Sequence, residues 1–518
     1  MKVEEATVTA KLARESGPKR WSNHDGLSSS HSRPTLPSPA VAHHRLIPQP
    51  PAETSTKAQL TGAAGAEEDV LEPPDNAMGR RKPNEPLGSH RLQGPPTTSA
   101  DVAGDTRRLP AEDARQFIST RTRRNPMSSS FPNGFLWGAA TAAHQVEGNN
   151  LNNDWWQLEH TAADHGVQFS GDALDSYHRY HEDMRLLADA GFNAYRFSFE
   201  WSRIEPSPGK FSRAELAHYR RMIETALRLG LTPVVTLHHF THPIWFGERG
   251  AWLGDGAVDA FCRYAEQACT ILDGVEWICT INEPNIVAVN HGQQRRLAEG
   301  KEYQFVGALP DAEIGQALIA AHRAATPLVR EATGAKVGWT VANQALLPAP
   351  GCERKHAEVQ HIWEDMYLEP ARDDDFVGVQ SYTGQLVDGN GVVPHPDQPD
   401  NTIMGWAYRP DALGIAVRHT RDVVGDVPIV VTENGIAVSD DSRRIAYTEG
   451  ALTALHEAIS EGADVRGYLH WSLLDNFEWG RWEPTFGLIA VDRETFERRP
   501  KPSLHWLGQI AQANALTA

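Results

Sequence analysis

From Phe131 onward, short apolar runs alternate with helical patterns, and this alternation constrains the fold more than any other feature of the chain. The runs are Phe135–Ala139, Asn193–Phe199, Pro233–Phe240, Glu276–Glu283, Lys336–Ala342, Phe376–Tyr382, Pro428–Glu433 and Val465–Ser472. Each is near-continuously hydrophobic, as strands covered on both faces must be. Between them, Ser176–Ala190 ends before Gly191, Arg213–Leu229 ends before Gly230, and Ala451–Ser460 runs into Gly462. A strand then a helix, repeated eight times, predicts an α/β fold: a single (β/α)8 TIM barrel. A doubly wound open sheet would carry a glycine-rich phosphate loop after its first strand, and here Gly148 and Gly171 stand alone.

The barrel does not account for the whole chain. Residues 1–126 hold 15 of the 34 prolines but only two aromatic residues, Trp21 and Phe117. A segment so poor in bulky apolar groups cannot offset its chain entropy, so it is expected to be a disordered Pro/Ser-rich extension. It contains 18 Lys+Arg and 15 Asp+Glu, whereas residues 127–518 contain 31 and 52. The second segment carries 14 of the 15 tryptophans and is expected to be one large folded domain. Met127 opens SSSFPNGFLWGAATA, a natural domain start, so residues 1–126 are either a real extension or an over-long start assignment. The first residues have neither an apolar core nor a cleavage pattern, and no apolar stretch is long enough to span a bilayer. The four cysteines, Cys262, Cys269, Cys279 and Cys352, form no CxxC pair and suit free thiols in a reducing cytoplasm. A domain balance of −21 argues against nucleic acid or an anionic membrane as a partner. The oligomeric state is not legible.

Catalytic groups in such barrels sit at the C-terminal ends of the strands. Gln145 and Glu147 follow the first strand, Arg196 lies in the second, and His238 and His239 end the third. Asn282 and Glu283 end the fourth, Tyr382 the sixth, Glu433 the seventh and Trp471 the eighth. Two carboxylates from different strands facing one pocket are what cleavage of a glycosidic bond requires, although one such Glu alone could equally be a strand-end ion-pair partner. His238, His239 and His242 raise the question of a metal, but a zinc helix needs HExxH and none is present, so no metal or cofactor is expected.

The segments FPNGFLWGAATAAHQVEG, NAYRFSFEWSRIEP, TINEPN, MGW, VTENGIA and WSLLDNFEWG, in that order, are similar to glycoside hydrolase family 1, the retaining β-glucosidase family. The resemblance runs from Phe131 to about residue 507 and excludes the tail. It implies that Glu433, in TENG, is the nucleophile and Glu283, in NEP, the general acid/base, their carboxyls about 5 Å apart. Arg196 would keep the nucleophile ionised, and Tyr382 resembles the tyrosine that hydrogen-bonds it. Asn282 resembles the residue that contacts the sugar 2-hydroxyl, and Gln145 and His239 resemble glycone ligands. Glu478 and Trp479 resemble the pair that reads the hydroxyls far from the anomeric carbon. An anionic Glu478 there would repel a phosphate, which points to a non-phosphorylated hexose. Trp471 and Phe486 resemble walls of the sugar site, and Trp406 the aromatic of the aglycone side.

The chain also departs from the family pattern. Phe240-Thr241-His242-Pro243 stands where Trp-Asp-Leu-Pro is common, and Gln380-Ser381-Tyr382 where Asn-Tyr-Tyr is usual. Gln380, a longer amide, is expected to reach the acid/base differently. Brief loops at Asn343–Asp375 and Thr383–Gly405 predict an open aglycone site. The activity implied is that of an exo-acting β-glycosidase for small β-glucosides or oligosaccharides, with β-galactosides and β-fucosides as further candidates. A transglycosylase on the same fold, or a silent sugar-binding protein, are the alternatives.

Overall fold

The structure is a computed structural model and describes residues 130–162, 166–301 and 308–516. The expectations for residues 1–126 lie outside the described residues. Eight parallel strands close into a barrel: β1 (Leu136–Ala140), β2 (Ala194–Ser198), β3 (Thr232–His238), β4 (Trp277–Asn282), β5 (Lys336–Ala342), β6 (Val377–Gln380), β7 (Ile429–Asn434) and β8 (Val465–Trp471). Each hydrogen-bonds to its sequence neighbours, and β8 closes onto β1 through Leu136 opposite Gly467 to Ala140 opposite Trp471. All eight expected strands are present within a few residues of their expected bounds.

The principal helices are α1 (Asp154–Ala162), α2 (Ser176–Asp189), α3 (Arg213–Arg228), α4 (Ala257–Cys269), α5 (Pro284–Ala298), α6 (Ala312–Thr333), α7 (Ala412–Val424), α8 (Asp441–Ser460) and α9 (Pro502–Ala513). Local chemistry explains their starts. The Ser212 hydroxyl accepts from Glu215 N–H at the head of α3, and the Asp311 carboxylate accepts from Glu313 and Ile314 N–H at the head of α6. Helix α8 begins ten residues before the expected Ala451. Asp440 caps it through Ser442 N–H at 2.9 Å, and buried Arg444 and Tyr447 in its first turns interrupt the apolar spacing that the sequence reading relied on.

The strands sort their side chains into two layers. Leu136, Val234, Trp277, Phe376, Val430 and Leu469 pack together inside the barrel. Tyr195, Val235, Ile278, Val379, Val431 and Tyr468 pack outward against the helices. Strict alternation would then turn Glu433 outward with Val431, because strand side chains repeat every two residues. Register shifts prevent this. The ladder between β6 and β7 slips between Val431 and Glu433, and that between β4 and β5 slips between Cys279 and Asn282. Each irregularity re-aims the strand end toward the barrel mouth. Gly435 serves the same corner, because a Cβ there would meet the Trp471 carbonyl oxygen at 1.9 Å.

The two rim segments expected to be brief loops carry structure of their own. Leu346–Pro348, Gln385–Asp388 and Gly391–Val392 form a three-stranded sheet, and Glu353–Gln360 is helical. Among the described residues no helix is long and apolar enough to cross a membrane, and none of the four cysteines is in a disulfide.

Candidate active site

A cavity of about 370 Å³ opens at the C-terminal ends of the strands. Of the residues named from sequence, Gln145, His239, Glu283, Tyr382, Trp406, Glu433, Trp471, Glu478, Trp479 and Phe486 line it. Arg196 and Asn282 lie fully buried beside Glu433.

Glu433 sits in a cage of donors. Arg196 Nη1 donates to its Oε1 at 2.5 Å, Gln380 Nε2 to the same oxygen at 2.8 Å, and the Tyr382 hydroxyl to Oε2 at 2.6 Å. Asn282 Oδ1 accepts from Arg196 Nη2, Gln380 Nε2 and the Thr340 hydroxyl, which locks the amide with its Nδ2 unpaired. Gln380 therefore contacts Glu433 and Asn282 and makes no hydrogen bond to Glu283, which corrects the expectation for that longer amide.

Glu283 is the opposite case. Among the described residues no group donates to its carboxyl, and its backbone N–H donates to Thr340 O at 2.8 Å. Its φ is +43°, a left-handed conformation unusual for a residue with a side chain. Pro284 at the first position of α5 follows, where its fixed φ suits a helix start. Burial raises the Glu283 carboxyl well above the usual range, the charge of Glu433 adds to this, and Arg196 opposes it. Burial raises Glu433 too, but Arg196, Tyr382 and Gln380 all work against that rise. Two close carboxyls share a proton unequally, and here it rests on Glu283, which lacks donors and a cation of its own. One ionised and one protonated carboxyl in a single pocket can divide the roles of attack and proton donation.

The far wall of the cavity is a second network. Gln145 Nε2 donates to Phe477 O at 2.7 Å, Asn476 Oδ1 at 3.0 Å and Glu478 Oε2 at 3.2 Å. Trp471 Nε1 donates to Glu478 Oε1 at 3.2 Å. Burial pushes the Glu478 carboxyl up to about 8, against the lowering effect of the Trp471 and Gln145 donors. The His239 ring stacks between Trp471 and Trp479, with centroids at 6.0 and 6.2 Å, and its buried Nδ1 has no partner. His238 turns to the other side, against Trp252 and Phe261, as expected.

Not every strand-end group belongs to the site. Glu147 takes Arg203 Nε at 2.9 Å and the Tyr219 hydroxyl at 3.0 Å, and is a buried ion-pair partner outside the cavity. Sequence reasoning missed further wall residues: Ile286 on α5, Asn343 and Gln344 just after β5, and Met404 in a rim segment. It also missed Trp155, which packs on Trp479 at 4.8 Å. Ile286, Met404 and Trp155 end no barrel strand, so no positional signal marked them, whereas Asn343 and Gln344 directly follow β5 and could have been read from that position.

Residues 127–381 and 379–516 match the family model for Glycosyl hydrolase family 1. The chain belongs to this family. β-Glucosidase A of Thermotoga maritima is 31% identical over 444 residues, covering 74% of this chain and 98% of that protein. A bifunctional β-D-glucosidase/β-D-fucosidase of Bifidobacterium breve is 32% identical over 461 residues, covering 73% of this chain and 98% of that protein. Among solved structures, the β-glycosidase BGL167 superposes with a TM-score of 0.68 at 41% identity, covering 75% of this chain and 98% of its own. The family-1 barrel described above is thus the scaffold of a glycosidase, and its cavity stands where such barrels work, at the C-terminal strand ends.

Proposed function

We propose that this family-1 glycosidase is a retaining, exo-acting enzyme that removes terminal, non-phosphorylated β-D-glucosyl residues, with β-galactosyl and β-fucosyl residues as further substrates. The carrying observation is the asymmetry of its two carboxyls. Glu433, held by Arg196, Gln380 and Tyr382, is the nucleophile that attacks the anomeric carbon. Glu283, free of donors and kept protonated, gives its proton to the leaving oxygen. When the glycosyl–Glu433 ester forms, the negative charge that raised Glu283 disappears, its pKa falls, and it becomes the base for the incoming water. The unpaired Asn282 Nδ2 suits the sugar 2-hydroxyl. Unpaired Gln145 Oε1, His239 Nδ1 and the remaining lone pairs of Glu478 suit the hydroxyls farther from the bond that breaks. Trp471 and Phe486 offer apolar faces to the ring, and Trp406 lies toward the aglycone.

Nitrophenyl β-glucoside, β-galactoside and β-fucoside, assayed side by side with the wild-type chain and Glu433→Gln, test this. Turnover of the glucoside that disappears in Glu433→Gln is expected. In Glu283→Ala, azide should restore release and give the β-glycosyl azide, and an α-azide product would overturn the retaining assignment.

A further inference from the structure

Three side chains outside the cavity converge from three elements. Asp154 heads α1, His242 lies in the loop after β3, and His291 is on α5. One ligand atom of each lies within 4.8 Å of the other two. The first two are locked together by the backbone. His242 N–H donates to Asp154 Oδ1 at 2.9 Å, Asp154 N–H donates to His242 O at 3.1 Å, and Asn153 bridges Pro243.

The cluster is not self-sufficient. His242 is 3% exposed, yet its Nδ1 has no hydrogen-bond partner, and it faces Asp154 Oδ2 at 3.5 Å. Two imidazoles and one carboxyl thus converge on one space. From the geometry we infer that Asp154, His242 and His291 form a binding site for a first-row divalent cation of the zinc type. The N,N,O donor set suits zinc, and cobalt as its spectroscopic substitute. Bonds of about 2.0–2.1 Å in a tetrahedron set ligand atoms about 3.4 Å apart, close to the His242–Asp154 distance. His291 is half-buried, and its ligand atom lies within 4.8 Å of the other two, so a small side-chain rotation completes that spacing. A cavity lined by His291, Gly247, Trp252 and Gln294 adjoins the cluster and leaves room for water as a fourth ligand.

The site joins two segments that reach the sugar cavity. The β3 loop carries His239 three residues before His242, and α5 starts at Pro284, beside Glu283. The bound cation pins that loop to that helix, and so acts on stability without entering the reaction.

The test uses the full chain after chelator treatment, titrated with zinc chloride by calorimetry, beside Asp154→Asn and His291→Ala. Histidines elsewhere are common to all three proteins. The wild type should bind one zinc more than either variant. Its unfolding midpoint should rise by about 3 °C at a hundredfold excess over Kd, a rise absent from both variants. Cobalt chloride should give the visible bands of a tetrahedral ion in the wild type and not in Asp154→Asn. Equal zinc stoichiometry in all three proteins overturns the site. His291 is only half-buried, so its truncation answers even if Asp154→Asn misfolds.

Discussion

The Gln380 side-chain amide donates to the Glu433 carboxyl over 2.8 Å, and the same nitrogen lies 2.9 Å from Asn282 Oδ1. One donor thereby ties the proposed nucleophile to the proposed 2-hydroxyl ligand.

Gln380→Leu should therefore lower kcat/KM for nitrophenyl β-glucoside by about 10- to 100-fold, the range expected for one hydrogen bond to a charged group. Gln380→Asn should fall between it and the wild type. Losing the donor destabilises the Glu433 anion, so the acid limb of the pH profile should move to higher pH. An unchanged limb in Gln380→Leu would show that the contact does not matter to ionisation.

The raised Glu283 carboxyl makes a separate claim about the alkaline limb. General-acid catalysis needs the protonated form, so kcat/KM should fall as pH rises through the Glu283 pKa. With a dinitrophenyl glucoside, whose leaving group needs no proton, Glu283→Ala should keep its first step and lose this limb. Burst kinetics across pH read both effects.

Glu478 gives a proton-linked binding prediction. Its carboxyl lies at about 8 without sugar, and hydroxyl donors from a bound sugar favour the anion and lower it. Glucose binding at pH 7.5 should release a fraction of a proton, and affinity should rise as pH approaches 8. Calorimetry in buffers of different ionisation enthalpy measures this. Glu478→Gln should abolish the buffer dependence.

Arg203→Ala tests the structural reading of Glu147. Removing the guanidinium leaves a buried carboxylate without its partner, a loss of about 3 kcal/mol. The urea midpoint should drop accordingly while KM for the glucoside stays the same. A large rise in KM with unchanged stability would place Glu147 in the site instead.

The barrel was legible because buried parallel strands leave continuous apolar runs, and all eight from Phe135 to Ser472 could be read that way. The positions of Glu283 and Glu433 were legible as polar interruptions at strand ends. Their aim was not, because the register slips at Cys279–Asn282 and Val431–Glu433 belong to strand pairing and not to either strand alone. The raised pKa of Glu478 was hidden for a related reason, since burial comes from walls that the fold assembles. The same holds for His242 with His291 and Asp154, which lie far apart in the chain and meet only when β3, α1 and α5 pack. The rim sheet was read as bare loop because its strands, Leu346–Pro348 and Gln385–Asp388, are too short to leave a periodic signal.

The left-handed turn at Glu283 has a consequence for how a proton donor can be held. Most buried acids are steered by neighbours that clasp their oxygens, and each clasp occupies a lone pair and favours loss of the proton. Here the steering is done by the main chain, with a strand entering on one side and a proline-led helix leaving on the other. The carboxyl is aimed like a tool in a rigid mount, with both oxygens left bare for whatever arrives.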